Sequence, residues 1–146
     1  MTPKTSRPHA ASGFTIARRS NCGKIFTTVT LFTSGEPMEI FVRFGKAGGC
    51  GSAMADGVAR LMSYGLRSGL HPHDAVKALS GIGCHLGSNT CLNVIAESVS
   101  FVIQHLETGR DINELIEEHD IGVANLILED SCKSTLTGFL RLATAT

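Results

Sequence analysis

Two stretches in the first third of the chain alternate apolar and polar residues with a period of two. Lys24 to Phe32 (KIFTTVTLF) is rich in Thr, Val, Ile and Phe, the residues that suit a pleated surface. Met38 to Phe44 (MEIFVRF) puts Met38, Ile40, Val42 and Phe44 on one face and Glu39, Phe41 and Arg43 on the other. Thr33-Ser34-Gly35-Glu36-Pro37 lies between them and carries turn chemistry, so the pair predicts a β-hairpin. Gly13 to Ser20, with Phe14, Ile16 and Ala17, predicts a weaker first strand. Met1 to Ser12 is polar and is expected to be a loose leader.

Beyond a glycine-rich break at residues 45–52 the period changes. Ser52 to Ser68 carries Met54, Val58, Leu61, Met62 and Leu66 mostly three and four apart, which predicts a helix ended by Gly69. Asp74 to Leu79 predicts a short helix after His71-Pro72-His73, and Gly81 to Asn89 an irregular loop. Cys91 to Glu107 predicts a long helix, capped by Asn89 or Thr90, with a core stripe of Val94, Ile95, Val99, Val102 and Ile103. Asp111 to Glu118 suits a capped acidic helix. Val123 to Glu129 and Thr135 to Ala143 are apolar stretches that fit strand or helix. This order predicts an α+β fold, a small antiparallel sheet covered on one face by two or three helices. It also predicts a leader over 1–12, a domain over 13–107, and an extension over 108–146 that packs on the domain or on a neighbouring subunit.

Composition narrows the function classes. The 146 residues balance 13 Lys+Arg against 13 Asp+Glu, which leaves no whole-chain basic footprint for bulk nucleic acid. Charged residues at 18% and a mean hydropathy of +0.14 argue against a disordered acidic tail. No apolar run approaches a membrane span, and the N-terminus lacks a secretory apolar segment. The expected compartment is the cytoplasm, where five cysteines stay reduced.

The glycines crowd two places. Gly45-Lys46-Ala47-Gly48-Gly49-Cys50-Gly51-Ser52 joins a strand to a helix, and Gly87-Ser88-Asn89-Thr90 precedes another helix. Bare amides at a helix N-terminus carry partial positive charge and suit phosphate. The same glycines would equally serve tight packing or a subunit contact, and Ser88, Asn89 and Thr90 would equally serve as an ordinary cap. The first loop is not a Walker A motif, because Lys46 precedes most of its glycines and no Lys-Ser/Thr pair closes it. Arg43, Lys46, Arg60 and Arg67 lie near these loops in sequence, and Arg60 and Arg67, seven apart, are expected to share a helix face. Phe41, on the outer strand face, would stack a base or fill a dimer interface. Gly57 and Gly65 inside a helix suggest close approach of a neighbouring element. No nucleophile–base–orienter set, paired carboxylates or metal-hydrolase motif is present, so the chain is expected not to be an enzyme.

Asn21-Cys22-Gly23, Phe44-Gly45-Lys46-Ala47-Gly48-Gly49-Cys50, Leu66-Arg67-Ser68-Gly69, Gly81-Ile82-Gly83-Cys84 and Asn89-Thr90-Cys91-Leu92-Asn93 occur in an order that resembles the TSCPD domain family. The resemblance runs from Cys22 to about Leu106. Two positions depart from the family pattern: the eponymous motif reads N-T-C-L-N, and His85 follows Cys84 where the family has proline. The family is best known as a C-terminal appendage of adenosylcobalamin-dependent ribonucleotide reductases, with small standalone relatives, some in phages. The resemblance implies a zinc site at Cys22, Cys50, Cys84 and Cys91. Spacing alone does not, because no C-x-x-C knuckle is present and free cysteines are commonly buried.

The expectation is a homo-oligomeric, non-catalytic protein that binds a small phosphate-containing nucleotide through Arg43, Lys46, Gly48, Gly49, Ser52, Arg60, Arg67, Ser88, Asn89 and Thr90. Small size and lack of catalysis extend it to a phage sponge in a bacterial host cell, one that sequesters nucleotide immune signals such as cyclic ADP-ribose isomers or cyclic oligonucleotides. The alternative is a zinc-stabilised accessory module of a B12-dependent ribonucleotide reductase. No membrane partner is expected.

Overall fold

The computed structural model describes residues 2–45, 50–84 and 87–144, and the side chains of all of these except residue 50 and residues 131–144. Three strands, β1 (Gly13–Ser20), β2 (Gly23–Leu31) and β3 (Pro37–Phe44), form an antiparallel sheet in the order β1-β2-β3. Four helices follow: α1 (Cys50–Arg67), α2 (Pro72–Leu79), α3 (Cys91–Thr108) and α4 (Ile112–Thr144). The architecture is α+β, as the change of hydrophobic period predicts. The chain divides into two units, Met1–Gly109 and Arg110–Thr146.

Strand parity sets the core of the first unit. Ile25, Val29, Met38 and Ile40 point to the helix side and are buried, as is Ile16 of β1. α3 packs on β1 and β2, and its stripe of Val94, Ile95, Val99, Val102 and Ile103 is buried as its spacing predicts. Arg18 Nη2 of β1 donates to Glu97 Oε2 of α3 at 3.1 Å, and its guanidinium lies 5.3 Å from the Phe101 ring. Thr90 caps α3. Gly109 ends it in the left-handed conformation (φ +74°), with its N–H on His105 O.

α1 differs from its predicted face. Ala55, Ala59, Met62 and Leu66 are buried, whereas Met54 and Leu61 are 61% and 72% exposed. The reason is what α1 packs against. It runs along the free edge of β3, where small residues allow close approach. Ser63 Oγ accepts the Ile40 N–H at 2.8 Å, and it lies 2.8 Å from Ala59 O and 3.1 Å from Ile40 O. One hydroxyl thus satisfies the main chain of an edge strand. One turn on, Arg67 Nη1 donates to Glu39 Oε1 at 3.1 Å, and Arg7 Nε lies 3.0 Å from Glu39 Oε2. Glu39 belongs to the outward parity of β3, yet its side chain is only 7% exposed. Breaking a buried pair of this kind costs about 3–5 kcal/mol.

The helical glycines also read differently. Leu70 N–H bonds Gly65 O and Gly69 N–H bonds Leu66 O, a Schellman ending. A Cβ on Gly65 would stand 2.8 Å from Leu70 Cδ2, so Gly65 makes room for the residue that closes its own helix. Gly57 has nothing within 4 Å of a Cβ position.

The stretch expected to be a loose leader makes definite contacts. Thr2 and Thr5 N–H donate to the carbonyls of Ser68 and Arg67, and Arg67 Nε and Nη2 donate to Thr5 O at 3.0 and 2.8 Å. Lys4 Nζ lies 4.0 Å from the Tyr64 ring centroid. These bonds satisfy the last carbonyls of α1 and the remaining donors of Arg67. In the second unit, the two apolar stretches that fit strand or helix belong to one helix, α4.

Ser63→Ala leaves the Ile40 N–H without its partner beneath a helix. We expect a loss of about 1–3 kcal/mol in urea unfolding. A variant as stable as the parent would show that the β3 edge does not depend on this hydroxyl.

Candidate functional site

α1 is antiparallel to β3, because Ser63 meets Ile40 while Arg67, further along the helix, meets Glu39. The start of α1 therefore lies toward Phe44, the end of β3 that pairs with Ile25 beside the β1–β2 turn. Gly45 N–H donates to Lys24 O at 2.9 Å as the chain leaves β3. The start of α3 is tied to the same turn. Asn21 N–H donates to Asn89 O at 2.8 Å, and Asn89 Nδ2 donates to Arg19 O at 3.2 Å. Thr90 Oγ1 accepts the Asn93 N–H and donates to Ile82 O at 2.6 Å. Two helix N-termini thus converge on one end of the sheet.

The same end gathers the family cysteines. Cys22 sits in the β1–β2 turn and is exposed, as is Cys84, which forms a backbone bridge with Gly87. Cys91 opens α3 and is half-buried. Burial pushes the Cys91 thiol above its ordinary pKa, and negative charge on Cys22 and, more weakly, Cys84 pushes the same way. The backbone N–H groups of Leu92 and Cys91 oppose this by bonding the sulfur. The thiol of Cys50 lies outside the described side chains. The donors are right in kind for zinc, but among the described residues no three His, Cys, Asp or Glu side chains stand close enough together to hold a metal ion.

On the sheet face away from α3, cross-strand register builds a cationic patch at this end. Arg19 pairs with Lys24 across β1 and β2, and Phe26 pairs with Arg43 across β2 and β3. Arg19, Lys24 and Arg43 are exposed, and among the described residues none of the three has a carboxylate partner. Lys24 Nζ lies 5.2 Å from the centre of the Phe26 ring. Next to them is a cavity of about 520 Å³ lined by Thr15, Phe26, Thr28, Phe41, Val42 and Arg43. Phe41 is 44% exposed, and the Thr15 and Thr28 hydroxyls are 2.9 Å apart.

Of the predicted ligand residues, Arg43 lies in this patch. Ser52 is in the first turn of α1 and half-buried. Ser88 and Asn89 are exposed at the start of α3, whereas Thr90 is buried as its cap. Lys46, Gly48 and Gly49, and with them the glycine-rich turn, lie outside the described residues. Arg60 and Arg67 are not brought together. The Arg60 side chain is 74% exposed and pairs with Asp56 at 3.0 Å. Arg67 is drawn to Glu39 and the Thr5 carbonyl and is 11% exposed. A carboxylate buried at the strand edge needs a counter-ion, and Arg67 supplies it. Sequence reading missed Arg19, Lys24 and Phe26. Their signal is strand parity: the outward alternation that places Phe41 and Arg43 in β3 places Lys24 and Phe26 when carried across the hairpin turn into β2, and Arg19 when carried on across the Asn21-Cys22 turn.

The ordered cysteine and glycine motifs thus map largely to one end of an α+β domain, around the β1–β2 turn and the starts of two helices. A family model, the TSCPD domain, matches residues 1–102, and the chain belongs to that family. The match takes in the N-terminal stretch as well as every motif quoted above. Comparison with curated proteins and with solved structures returned no match. Among the described residues no helix is long and apolar enough to cross a membrane.

The raised pKa of Cys91 means a smaller thiolate fraction at mildly alkaline pH, so iodoacetamide should modify it more slowly than Cys22. Removing a neighbouring negative charge in Cys22→Ser should speed Cys91. Peptide mass mapping over time reads both. Cys91 reacting faster than Cys22, or indifferent to Cys22→Ser, would contradict the electrostatic account.

Proposed function

We propose that the protein is a non-catalytic nucleotide-binding protein whose ligand lies on the open sheet face at the cysteine end. The observation that carries this reading is the patch of Arg19, Lys24 and Arg43, three cations without carboxylate partners among the described residues, beside the half-buried ring of Phe26 and the exposed ring of Phe41. Such a surface creates a local positive field that attracts an anion, and phosphate is the anion that the adjacent helix starts also favour. An aromatic next to the phosphate position gives a base a stacking platform worth about 1–3 kcal/mol. The neutral whole chain fits a small ligand held locally better than a nucleic-acid track. On this reading the ligand is held and not turned over, which suits sequestration of a nucleotide signal.

The family match, with Cys22, Cys84 and Cys91 at one end of the sheet, supports a second reading, a zinc-stabilised accessory module of a cobalamin-dependent ribonucleotide reductase that acts by protein contact. Elemental analysis separates the two. One zinc per chain, with unfolding by a chelator, supports the accessory module.

Thermal-shift and calorimetric titrations with cyclic ADP-ribose isomers, cyclic dinucleotides and linear nucleotides test the first reading. At least one should bind, more weakly as salt is raised. Lys24→Ala and Arg43→Ala should each lower affinity about tenfold, a loss of about 1.4 kcal/mol, and Arg60→Ala should leave it unchanged. If no member of the panel binds at low salt, the nucleotide reading fails. If binding survives Lys24→Ala and Arg43→Ala intact, the site lies elsewhere.

A further inference from the structure

We propose that α4 pairs antiparallel with α4 of a second copy of this chain. The proposal is independent of the nucleotide reading. α4 is a 33-residue helix, about 50 Å long. Within it Ile121, Val123, Leu126, Ile127 and Leu128 are exposed, four of them by more than 60%. Leu126, Ile127 and Leu128 are consecutive, and neighbouring positions on a helix stand about 100° apart. The apolar surface is therefore broad, and a helix of this kind is stable when other helices cover it.

Charge selects the occupant and its direction. Glu114, Glu117, Glu118, Asp120, Glu129 and Asp130 all fall in the first part of α4, and residues 112–130 contain no Lys or Arg. The remainder carries Lys133 and Arg141 and no acidic residue. A parallel copy would lay six carboxylates beside six carboxylates. An antiparallel copy centred on residue 128, the midpoint of the helix, sets Arg141 opposite Leu115, within one turn of Glu114 and Glu118. It sets Lys133 opposite Val123, within one turn of Asp120, and brings the exposed Leu128 positions together at the centre. The antiparallel arrangement also opposes the two helix dipoles. The pairing is two-fold symmetric, so the assembly closes as a dimer or an even multiple of it.

Sedimentation equilibrium of the full chain across the micromolar range tests this. A dimer or an even multiple supports the pairing; a monomer, as when the apolar face folds against its own chain, or an odd assembly overturns it. Leu126→Glu with Leu128→Glu should yield a monomer, and an unchanged mass would overturn the assigned surface. Lys133→Glu with Arg141→Glu keeps the apolar face and should raise the dimer dissociation constant about tenfold at low salt, less at high salt. Unchanged or tighter association in that variant overturns the antiparallel direction. Far-UV circular dichroism on each variant checks that helix content is kept, and the charge variant decides the matter if the leucine variant loses it.

Discussion

A three-stranded sheet leaves two edges, and the one along β3 is closed here by a helix. Ser63 offers a hydroxyl to the main chain of Ile40, and Arg67 answers the buried carboxylate of Glu39. Much of the first unit follows from that contact. It fixes the direction of α1, requires alanines where the helix touches the strand, and delivers the start of α1 to the end of the sheet where α3 also begins. Without it the edge would present unpaired amide and carbonyl groups to any other strand.

The same contact sorts the basic residues. Arg67 is committed to Glu39 and the Thr5 carbonyl, and Arg60 to Asp56 within its own helix. Arg19, Lys24 and Arg43 stand on the other face of the sheet with no carboxylate in reach among the described residues. A chain with zero net charge thus separates its cations into those that hold the fold and those that create a local field. Cys22, Cys84 and Cys91 lie at the border of the two sets, near the turn where the strands and helices are tied together.

The hairpin and α3 are legible in the sequence because their apolar residues are large and repeat cleanly. α1 was misread in its face, because Met54 and Leu61 outweigh Ala55 and Ala59 on any hydropathy scale, whereas fit against a strand edge selects small residues. The partner of Arg67 was hidden for a different reason. Glu39 alternates as an exposed residue and is buried only by tertiary closure from α1 and Arg7. α4 was split into pieces because its apolar residues follow neither period, as expected of a helix whose apolar residues surround it. Of the expected ligand residues, Arg43, Arg60 and Arg67 are all marked by nearness in sequence to the glycine-rich loops, and Arg60 and Arg67 also by spacing along a helix; both signals are blind to what each side chain meets, and it is strand parity that puts Arg43 in the patch.

The link between Arg67 and the N-terminal stretch is made to a carbonyl of the main chain. Every amino acid offers that oxygen, so the guanidinium fixes the path of the chain at Thr5 and leaves the side chain there unspecified. A segment can then be an integral part of a fold while its composition resembles filler. Here the residue that marks the Thr5 carbonyl contact is an arginine sixty-two residues away, while Lys4 and Arg7 add side-chain contacts to Tyr64 and Glu39.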